Sequence, residues 1–469
     1  MKLTAKDLAR IRHVEFRNPE LLKGKKISGV STDSRTAEAG DLFFALKGGT
    51  FDGHAFVGEA FGKGAVAAVV EASVGIPSPG NVPVLIVENT TVALAELARH
   101  YRLKFSIPVL AVGGSNGKTT TKEMIARVLS TEYNVLSTEG NLNNHIGVPH
   151  TLFRLQKNHE IAVVEIGTNH PGEIGYLSEL LEPTHGVITN IGREHLEFFH
   201  SLDGVADEEG ALFERLRRTK KGTAFVSADD ERVVEKSRGI KNRITFGLKT
   251  KRVDVRGRVL GLNESGCARV SVGNKKMKKA IEIQLAIPGE HNAENALAAA
   301  AVGLAFKVRP KHIRKALETF HPASKRMEVL NLGGVIVFND TYNANPDSTI
   351  AALRTLAAAT VSGKRIAVLA DMRELGELAV TEHERVGAEV ALLGIEYLLT
   401  YGELARKIHE AAGLPLGIHY EQKNILAEYL AELIAPGDAV LVKGSRGMKM
   451  EDVVTFLEER LRSAVVPFG

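Results

Sequence analysis

The chain has 469 residues, of which 44% are hydrophobic and 25% are charged, values typical of a globular protein with about three domains. A net charge of +4 without any block of roughly five or more basic residues gives no support for nucleic-acid binding, and a single cysteine, Cys267, excludes an internal disulfide framework and a cysteine-rich zinc site. There is no apolar N-terminal segment and no run of about 18 apolar residues, so we expect a cytoplasmic protein that does not insert into a membrane.

Residues 1–83 predict a small α/β domain, because short apolar runs alternate with a helical pattern. Two loops follow its predicted strands: residues 31–35, STDSR, and residues 47–54, KGGTFDGH. Both combine polar side chains or glycines at strand ends, where open sheets bind ligands. Ordinary turn chemistry is the alternative for either loop taken alone.

A nucleoside-triphosphate site is predicted at residues 109–122, VLAVGGSNGKTTTK. An apolar strand leads into a glycine-rich turn and then a helical pattern, which is the order of a phosphate loop. The glycines let backbone N–H groups converge on one anion, and the helix adds its positive N-terminal end. We expect Lys118 to reach the outer phosphates and Thr119 to bind Mg²⁺. Val112 stands where the full motif has glycine, so the signal is a shortened loop, GxNGKT, and an ordinary turn with a solvated lysine is the alternative.

Acidic and imidazole side chains follow two further strands of this second domain, which we assign to residues 84–310. Glu165 ends the apolar run IAVVE, and His195 follows the run VITNI. Such groups at the carboxyl ends of parallel strands, beside a phosphate loop, are what metal-assisted phosphoryl transfer requires. Glu165 is therefore a candidate ligand of a first Mg²⁺ and His195 of a second, with a structural or surface role as the alternative for His195.

Asparagines mark two other segments of the second domain. Residues 137–149, STEGNLNNHIGVP, carry side-chain amides suited to fixed hydrogen bonds with a polar substrate. A loop without a binding role is the alternative. Asn292 and Asn295 lie three residues apart on one predicted helical face. Their amides are suited to hydrogen bonds with the edge of a purine base, and capping of the helix N-terminus is the alternative. Between these segments, residues 220–288 predict an antiparallel flap.

Residues 311–469 predict a third domain with a doubly wound, Rossmann-like sheet. Strands alternate with helices, and polar loops follow the strands at residues 339–348, 371–377 and 443–452, NDTYNANPDS, DMRELGE and KGSRGMKMED. The motif GxGxxG is absent, so a dinucleotide is not indicated. The fold class is thus α/β, with a small N-terminal domain, a central P-loop ATPase-like domain with a mostly parallel sheet, and this C-terminal domain.

Together these motifs resemble the ATP-dependent Mur ligases, the family that builds the peptide of bacterial cell-wall precursors. The likeness extends over essentially the whole chain and rests on STDSR, GDLFFALKG, FDGH, GSNGKTTTK, GNLNNHIGVP, EIGTN, ITNIG with HLEFF, HNAENALAAA, KRMEV, NDTYNANPDS, VLADMRELGE and VLVKGSRGMKME. It implies an enzyme that activates a peptide carboxylate with ATP as an acyl phosphate. NDTYNANPDS and GNLNNHIGVP favour the member that adds D-alanyl-D-alanine to a UDP-N-acetylmuramoyl-tripeptide. The alternatives are the member that adds a diamino acid and a nucleotide-binding protein that ligates nothing.

The resemblance also implies roles for individual residues, with ATP and Mg²⁺ as cofactors. The expected catalytic residues are Lys118, Glu165 and His195. The expected nucleotide-binding residues are Gly114, Ser115, Asn116, Gly117, Lys118, Thr119, Thr120, Asn292, Asn295, Arg326 and Asp340. The expected substrate-binding residues are Ser34, Arg35, Lys47, Asn141, Asn144, Asn343, Asn345, Lys443, Ser445 and Arg446. The expected metal ligands are Thr119, Glu165, His195 and Glu209. The implied partners are the two small-molecule substrates, the first domain is expected to hold the UDP part, and we expect a monomer.

The chain departs from the family at one of these metal ligands. Members commonly carry, shortly after HLEFF, a lysine that reacts with carbon dioxide to form a carbamate and so helps to hold the second Mg²⁺. The corresponding residues 201–213 contain no lysine, and Glu209 stands in its place. A glutamate offers the same two oxygens on a shorter side chain, so we expect Glu209, or less strongly Asp207 or Glu208, to replace the carbamate directly or through a water molecule. A solvated acidic helix face is the alternative.

Overall fold

The structure, a computed structural model, describes residues 3–49, 51–73, 82–322 and 324–463. Within these residues three β-sheets follow one another along the chain, each accompanied by helices. The predicted α/β fold with three domains is therefore confirmed. None of the helices in this part of the chain combines the length and the apolar character that crossing a bilayer requires.

The first sheet is formed by strands near the N-terminus. Its strands are β1 Glu15–Arg17, β2 Gly29–Ser31, β3 Asp41–Phe44, β4 Ala67–Glu71 and β5 Val84–Val87, and its helices are α1 Ala5–Leu8, α2 Val57–Gly62 and α3 Thr90–Arg102. The strand order is β1-β5-β4-β3-β2, with β1 antiparallel to β5 and the other neighbours parallel. Because β5 pairs with both β1 and β4, the first sheet extends to Val87. The predicted domain boundary after residue 83 would separate β5 from the other strands of this sheet.

The second sheet carries the phosphate loop. Its strands are β6 Val109–Gly113, β7 Val135–Ser137, β8 Ile161–Glu165, β9 His185–Ile188, β10 Thr223–Ser227, β11 Asn242–Gly247, β12 Val255–Leu262, β13 Cys267–Asn274 and β14 Ile281–Pro288. Its helices are α4 Lys118–Leu129, α5 Gly147–Phe153, α6 Glu173–Leu181, α7 Leu196–Phe199, α8 Leu202–Arg218, α9 Glu231–Lys236, α10 His291–Ala305 and α11 Pro310–Glu318. The order is β14-β13-β12-β11-β10-β9-β6-β8-β7. Every residue of β6 and β8 is buried, as expected for central parallel strands covered on both faces.

Two predictions about the second domain are corrected. Residues 220–288 do not form a purely antiparallel flap. Strand β10 pairs in parallel with β9 and, across the connection made by α9, with β11, and β11 pairs in parallel with β12. Only the pairs of β13 with β12 and with β14 are antiparallel. Helix α11 also belongs to this domain, since Ile313 and Leu317 are fully buried in the apolar cluster that contains α4 and β14. A boundary between residues 310 and 311 separates this helix from the sheet it covers.

The third sheet is formed by β15 Glu328–Leu332, β16 Val335–Asp340, β17 Arg365–Ala370, β18 Tyr397–Tyr401, β19 Leu416–Tyr420 and β20 Ala439–Lys443. The helices of this domain are α12 Pro346–Ala358, α13 Ala379–Leu392, α14 Ala405–Ala412, α15 Lys423–Leu433 and α16 Glu451–Ser463. The order is β15-β16-β20-β17-β18-β19, and all neighbours except β15 and β16 are parallel. The predicted doubly wound sheet is present, with an added antiparallel edge strand.

The second and third domains are packed with the carboxyl ends of their central strands towards each other. Arg193, in the loop after β9, donates its backbone N–H to Asp347 over 2.7 Å, and its guanidinium forms ion pairs with Asp347 and Glu382 at 3.1 Å each. The Asn345 side chain donates to Asn116 Oδ1 over 2.9 Å. The loops after β6, β8 and β9 therefore share one cavity with the loops after β16, β17 and β20.

Candidate active site

The loop between β6 and α4 has the geometry that phosphate binding requires. Gly114 and Gly117 adopt φ angles of +109° and +75°, a region that residues with a Cβ rarely enter. A Cβ on Gly114 would lie 2.6 Å from the backbone nitrogen of Thr189, so glycine also permits the close packing of the loop on the end of β9. Helix α4 begins at Lys118, which directs its positive end at the cavity that residues 115–120 line.

Asn190, which the sequence did not single out as a site residue, holds this loop in shape. Its side chain accepts a hydrogen bond from the backbone N–H of Asn116 over 3.1 Å and donates to the Asn116 carbonyl over 3.0 Å. Its own carbonyl accepts from the N–H of Ser115 over 2.9 Å. The only sequence signal was an asparagine directly after a buried strand, in VITN. These three bonds fix the loop before any ligand arrives, which is the preorganisation that anion binding favours.

Lys118 is held by an acidic neighbour inside the cavity. Its Nζ lies 3.1 Å from Glu194 Oε2 and 3.2 Å from the Ser115 carbonyl, and the lysine and glutamate side chains are 14% and 5% exposed. Burial acts to lower the pKa of Lys118, but the neighbouring carboxylates, Glu194 foremost, outweigh burial and raise it. The ammonium group is therefore charged and ready to pair with an anion that displaces Glu194.

Glu165 provides an oxygen that the protein leaves unused. Its Oε1 accepts hydrogen bonds from the Thr119 hydroxyl over 3.2 Å and from the Asn143 amide over 2.8 Å. Its Oε2 is buried and has no hydrogen-bond partner among the described residues. A buried carboxylate oxygen without a partner is costly, and a hard cation such as Mg²⁺ is the kind of ligand that satisfies it. No preformed group of three or more metal-binding side chains occurs in the described ranges, so a cation would need water or phosphate oxygens to complete its shell.

His195 meets a residue of the third domain. It adopts φ of +46°, and its Nδ1 lies 2.5 Å from Glu374 Oε2 in an ion-pair contact that is not directed as a good hydrogen bond. This contact lowers the pKa of Glu374. The Nε2 atom lies 4.0 Å from Glu194 Oε2. The ring therefore lies between Glu374 on the side of Nδ1 and Glu194 on the side of Nε2.

The position of Glu209 favours a role in supporting the phosphate loop over the direct metal role expected of it. Glu209 is fully buried on α8 behind the phosphate loop and is not part of the cavity wall. Its Oε2 accepts a hydrogen bond from the Gly114 N–H over 2.6 Å. The weaker candidate Glu208 is also engaged, because it accepts from the backbone N–H groups of Gly172 and Ile174 at the start of α6 over 2.7 Å each. Asp207 is paired with Lys236. The short glutamate side chain therefore supports the loop from behind and does not reach past it.

Glu209→Gln is expected to alter how stability depends on pH and to leave the Mg²⁺ dependence of activity unchanged. Burial raises the pKa of Glu209 to about 8, although the charge of Lys118 opposes this. The folded protein therefore retains a proton there between pH 4.5 and about 8 that the unfolded chain has released, so this contribution to stability is lost as the pH rises through that range. Glutamine can still accept from Gly114 but does not titrate. Denaturant unfolding of both proteins without ligands is the measurement. Parallel pH profiles would contradict the assignment, and so would a higher Mg²⁺ requirement of the variant.

Asn292 and Asn295 line the cavity, yet their amides are largely used within the protein. Asn292 donates to the Pro288 carbonyl over 2.7 Å, and Asn295 donates to Asn292 Oδ1 over 2.9 Å. Asn295 Oδ1 accepts from the Thr121 hydroxyl over 3.0 Å. Both side chains are nearly fully buried against α4. The arrangement stabilises the packing of α10 on the phosphate-loop helix, and reading of a purine edge stays a prediction.

The third domain supplies the opposite wall. Lys443, at the end of β20, lies 2.5 Å from Asp340 Oδ2 and donates to the Asn343 carbonyl over 2.8 Å. The Ser445 hydroxyl donates to the Ala344 carbonyl over 3.2 Å. These contacts tie the loop after β16 to the loop after β20, so the segments NDTYNANPDS and KGSRG form one surface.

Most of the predicted site residues meet in this cavity of about 670 Å³. Those that line it are Ser115, Asn116, Gly117, Lys118, Thr119, Thr120, Asn141, Asn144, Glu165, His195, Asn292, Asn295, Arg326, Asp340, Asn343, Asn345, Lys443, Ser445 and Arg446. The lining residues that the sequence did not assign to the site include Asn143, Asn190, Glu194, Tyr342, Arg373 and Glu374. The predicted residues outside the wall are Gly114, Glu209, Ser34, Arg35 and Lys47.

The three predicted first-domain residues are engaged near their own loops. The Ser34 hydroxyl donates to Glu59 over 2.9 Å, and Arg35 pairs with Asp33 at 2.7 Å. Lys47 is exposed, and its backbone forms an isolated antiparallel bridge with Asp52. The loop of residues 31–35 is nevertheless connected to the second domain, because the Thr32 hydroxyl lies 3.0 Å from His150 Nε2 on α5.

Comparison with protein families matches three domain models. Residues 26–102 match the Mur ligase family, catalytic domain, residues 112–303 match the Mur ligase middle domain, and residues 325–446 match the Mur ligase, glutamate ligase domain. The matched ranges leave out little of the chain between residues 26 and 446.

Three similar proteins, matched over nearly their full length, have the same name. The UDP-N-acetylmuramoyl-tripeptide–D-alanyl-D-alanine ligase of Bacillus subtilis is 37% identical, with 98% of this chain and 99% of that protein covered. The proteins of the same name from Haemophilus influenzae and Escherichia coli are 35% and 36% identical, with 98% and 92% of this chain covered and 100% and 94% of those proteins.

Solved structures with the same overall fold include MurF from Acinetobacter baumannii, at 32% identity and a TM-score of 0.89, with 98% of this chain and 99% of that chain covered. The MurF ligase from Thermotoga maritima in complex with ADP is 26% identical with a TM-score of 0.83, with 95% of this chain and 100% of that chain covered.

Proposed function

Since the chain belongs to the Mur ligase family, we propose that it is an ATP-dependent ligase that joins D-alanyl-D-alanine to the terminal carboxylate of a UDP-N-acetylmuramoyl-tripeptide in peptidoglycan precursor synthesis. The names and the near-complete coverage of its relatives support this assignment. So does the cavity, which combines a phosphate loop with the NDTYNANPDS and KGSRG surfaces of the third domain.

The first step has to overcome repulsion between two anions. A carboxylate is a poor acyl donor, so its oxygen attacks the γ-phosphorus of ATP, and ADP leaves while an acyl phosphate forms. Lys118 contributes a fixed positive charge at the point where the two anions meet, and the helix end and backbone N–H groups of the loop hold the phosphates in line. Glu194 holds the Lys118 side chain in position until the phosphates of ATP replace it as the partner of the ammonium group.

Mg²⁺ fits the donor set of this cavity. Thr119, Glu165 and His195 are the residues that we propose to hold it, supported by the unpartnered Glu165 Oε2 and by the position of His195 in the wall of the same cavity. When bound, Mg²⁺ supplies neutralisation of the phosphate charges and orientation of the transferred group. Glu209 would support this arrangement through Gly114.

The second step requires the acceptor amine and the exclusion of water. The amine of D-alanyl-D-alanine attacks the carbonyl carbon of the acyl phosphate, and the tetrahedral species that forms expels inorganic phosphate and a proton. The contacts of Arg193 with Asp347 and Glu382 keep the third domain over the cavity, which limits hydrolysis of the acyl phosphate. We also propose that the first-domain loops at residues 31–35 and 47–54 bind the UDP end of the donor.

One observation favours a ligase over a nucleotide-binding regulator: Lys118 and Glu165 of the second domain line the same cavity as Asn343 and Ser445 of the third. A regulator that only hydrolyses ATP does not require the third-domain residues on the opposite side of the cavity. A matrix of UDP-N-acetylmuramoyl dipeptide and tripeptide against D-alanyl-D-alanine, diaminopimelate and lysine, read by product mass, tests the proposal. We expect product and phosphate only from the tripeptide with D-alanyl-D-alanine. Diamino-acid addition to the dipeptide, or ATP hydrolysis indifferent to both substrates, would overturn it.

We further propose that the enzyme acts as a monomer in the cytoplasm, where ATP and nucleotide-linked precursors are available. Both walls of the cavity come from the same chain, which supports a monomer because the site needs no residue from a second subunit. Sedimentation of the purified enzyme during turnover tests this, with a single species of 50.7 kDa expected.

A further inference from the structure

Arg373 adds to the third-domain wall of the cavity a cation that has no carboxylate partner among the described residues. It lies in the loop after β17, and its backbone N–H donates to the Ser445 hydroxyl over 2.8 Å. The next residue, Glu374, contacts His195. Arg373 therefore lies beside the KGSRG loop and directly precedes the residue that contacts His195. This is the wall from which the acceptor would approach the acyl phosphate.

The guanidinium of Arg373 is exposed and lacks a carboxylate partner among the described residues. Its one side-chain hydrogen bond is weak and long, 3.6 Å to Met448 Sδ. Gly447 leaves room for the group, since a Cβ there would lie 2.6 Å from Arg373 Nη1. The guanidinium is thus seated against the third-domain wall while its charge stays available to a ligand.

Most other cations of the cavity are already committed. Lys118 pairs with Glu194, Lys443 with Asp340 and Arg446 with Glu451. Arg326 has no such partner in the part of the chain that the structure describes, but its guanidinium stacks 3.7 Å above the Tyr342 ring. It also adjoins Met327, whose N–H donates to Asp340. That position is on the side of the cavity that we assign to the nucleotide. Arg373 is the cation that remains for the acceptor.

A dipeptide acceptor brings its own negative charge into this site. Its amine must be neutral and free to attack, so the group that remains for electrostatic recognition is the carboxylate at its other end. A planar guanidinium matches the two oxygens of a carboxylate. We infer that Arg373 binds the free carboxylate of the acceptor dipeptide and so selects acceptors that end in a carboxylate. This inference rests on the proposed function.

The test combines a change in the enzyme with the matching change in the substrate. Arg373→Gln is expected to raise the KM for D-alanyl-D-alanine by roughly 10- to 100-fold, as for a lost charge-assisted hydrogen bond, with the KM for ATP and for the UDP-peptide unchanged. Arg373→Lys is expected to raise it less. With D-alanyl-D-alanine amide, which lacks the charge, the unaltered enzyme and Arg373→Gln are expected to have the same KM. Arg406→Gln, an exposed arginine of the same domain that pairs with Glu421, is the control and is expected to change neither value.

An unchanged KM for D-alanyl-D-alanine in Arg373→Gln would overturn the inference, and so would an equal loss with the acid and the amide. In both cases the unaltered enzyme still makes the product, so the proposed function stands. If the unaltered enzyme does not join D-alanyl-D-alanine at all, the proposed function itself fails and the inference fails with it.

Discussion

Lys118→Ala is expected to lower kcat/KM for ligation by roughly 10³-fold, the upper end of what loss of one preorganised donor costs. The Lys118 ammonium is the cation at the start of α4, within a loop that Gly114, Gly117 and Asn190 hold in a phosphate-binding shape. Its charge is preserved against burial chiefly by Glu194. Without it, the donor carboxylate and the γ-phosphate repel each other at the point of attack. Initial rates of phosphate release with both substrates are the measurement.

Loss of stability must be separated from this loss of activity. Removing Lys118 leaves the buried Glu194 carboxylate without its partner, which costs about 3 kcal/mol when a buried pair is broken on one side. Adding Glu194→Gln removes the unpaired charge. We therefore expect the double variant to recover the thermal stability but not the activity. Recovery of activity in the double variant, or a normal rate in Lys118→Ala, would show that the lysine has no role in phosphoryl transfer.

Glu165→Gln is expected to lower kcat/KM by about 10²-fold or more and to raise the Mg²⁺ concentration at half-maximal activity. Glutamine can accept the hydrogen bonds that Thr119 and Asn143 now donate to Oε1, so the local structure is preserved. The amide replaces the unpartnered Oε2, however, with a group that repels a cation. Activity measured over a Mg²⁺ titration separates weaker metal binding from misfolding.

Glu173→Gln is a matched control for this experiment. Glu173 lines the same cavity, but its Oε2 accepts from the backbone N–H groups of Asn169 and His170 over 2.6 and 3.1 Å. We expect this variant to keep the Mg²⁺ dependence of the unaltered enzyme. The account of Glu165 is wrong if both variants respond to Mg²⁺ in the same way.

The sequence predicted the parts of the site that lie at the ends of strands. A buried apolar run followed by a polar group, as at Glu165 or in the loop that carries Lys118, places that group at the carboxyl edge of a parallel sheet. All these edges meet in one cavity. Local patterns were therefore sufficient for the fold class and for most lining residues.

The sequence did not predict features that depend on distant partners. The pairing of β5 with β1 and β4 moved a domain boundary, and pairing partners are not encoded in any short window. Glu209 lies in an acidic run that suggests a solvated helix face, yet it is fully buried against Gly114. Arg373 became a candidate because its neighbours at Ser445 and Met448 come from a strand end some 70 residues away along the chain.

Transfer of oxygen from the donor to phosphate tests the central claim most directly. If the tripeptide carboxylate attacks ATP, one of its oxygens becomes the bridge of the acyl phosphate and leaves with phosphate when the acceptor amine attacks the carbonyl carbon. With both carboxylate oxygens of the UDP-N-acetylmuramoyl-tripeptide labelled with ¹⁸O, we expect one ¹⁸O in each phosphate released and one in the new amide, as measured by mass spectrometry. Unlabelled phosphate, formed together with the ligated product, would contradict activation of the carboxylate by phosphoryl transfer.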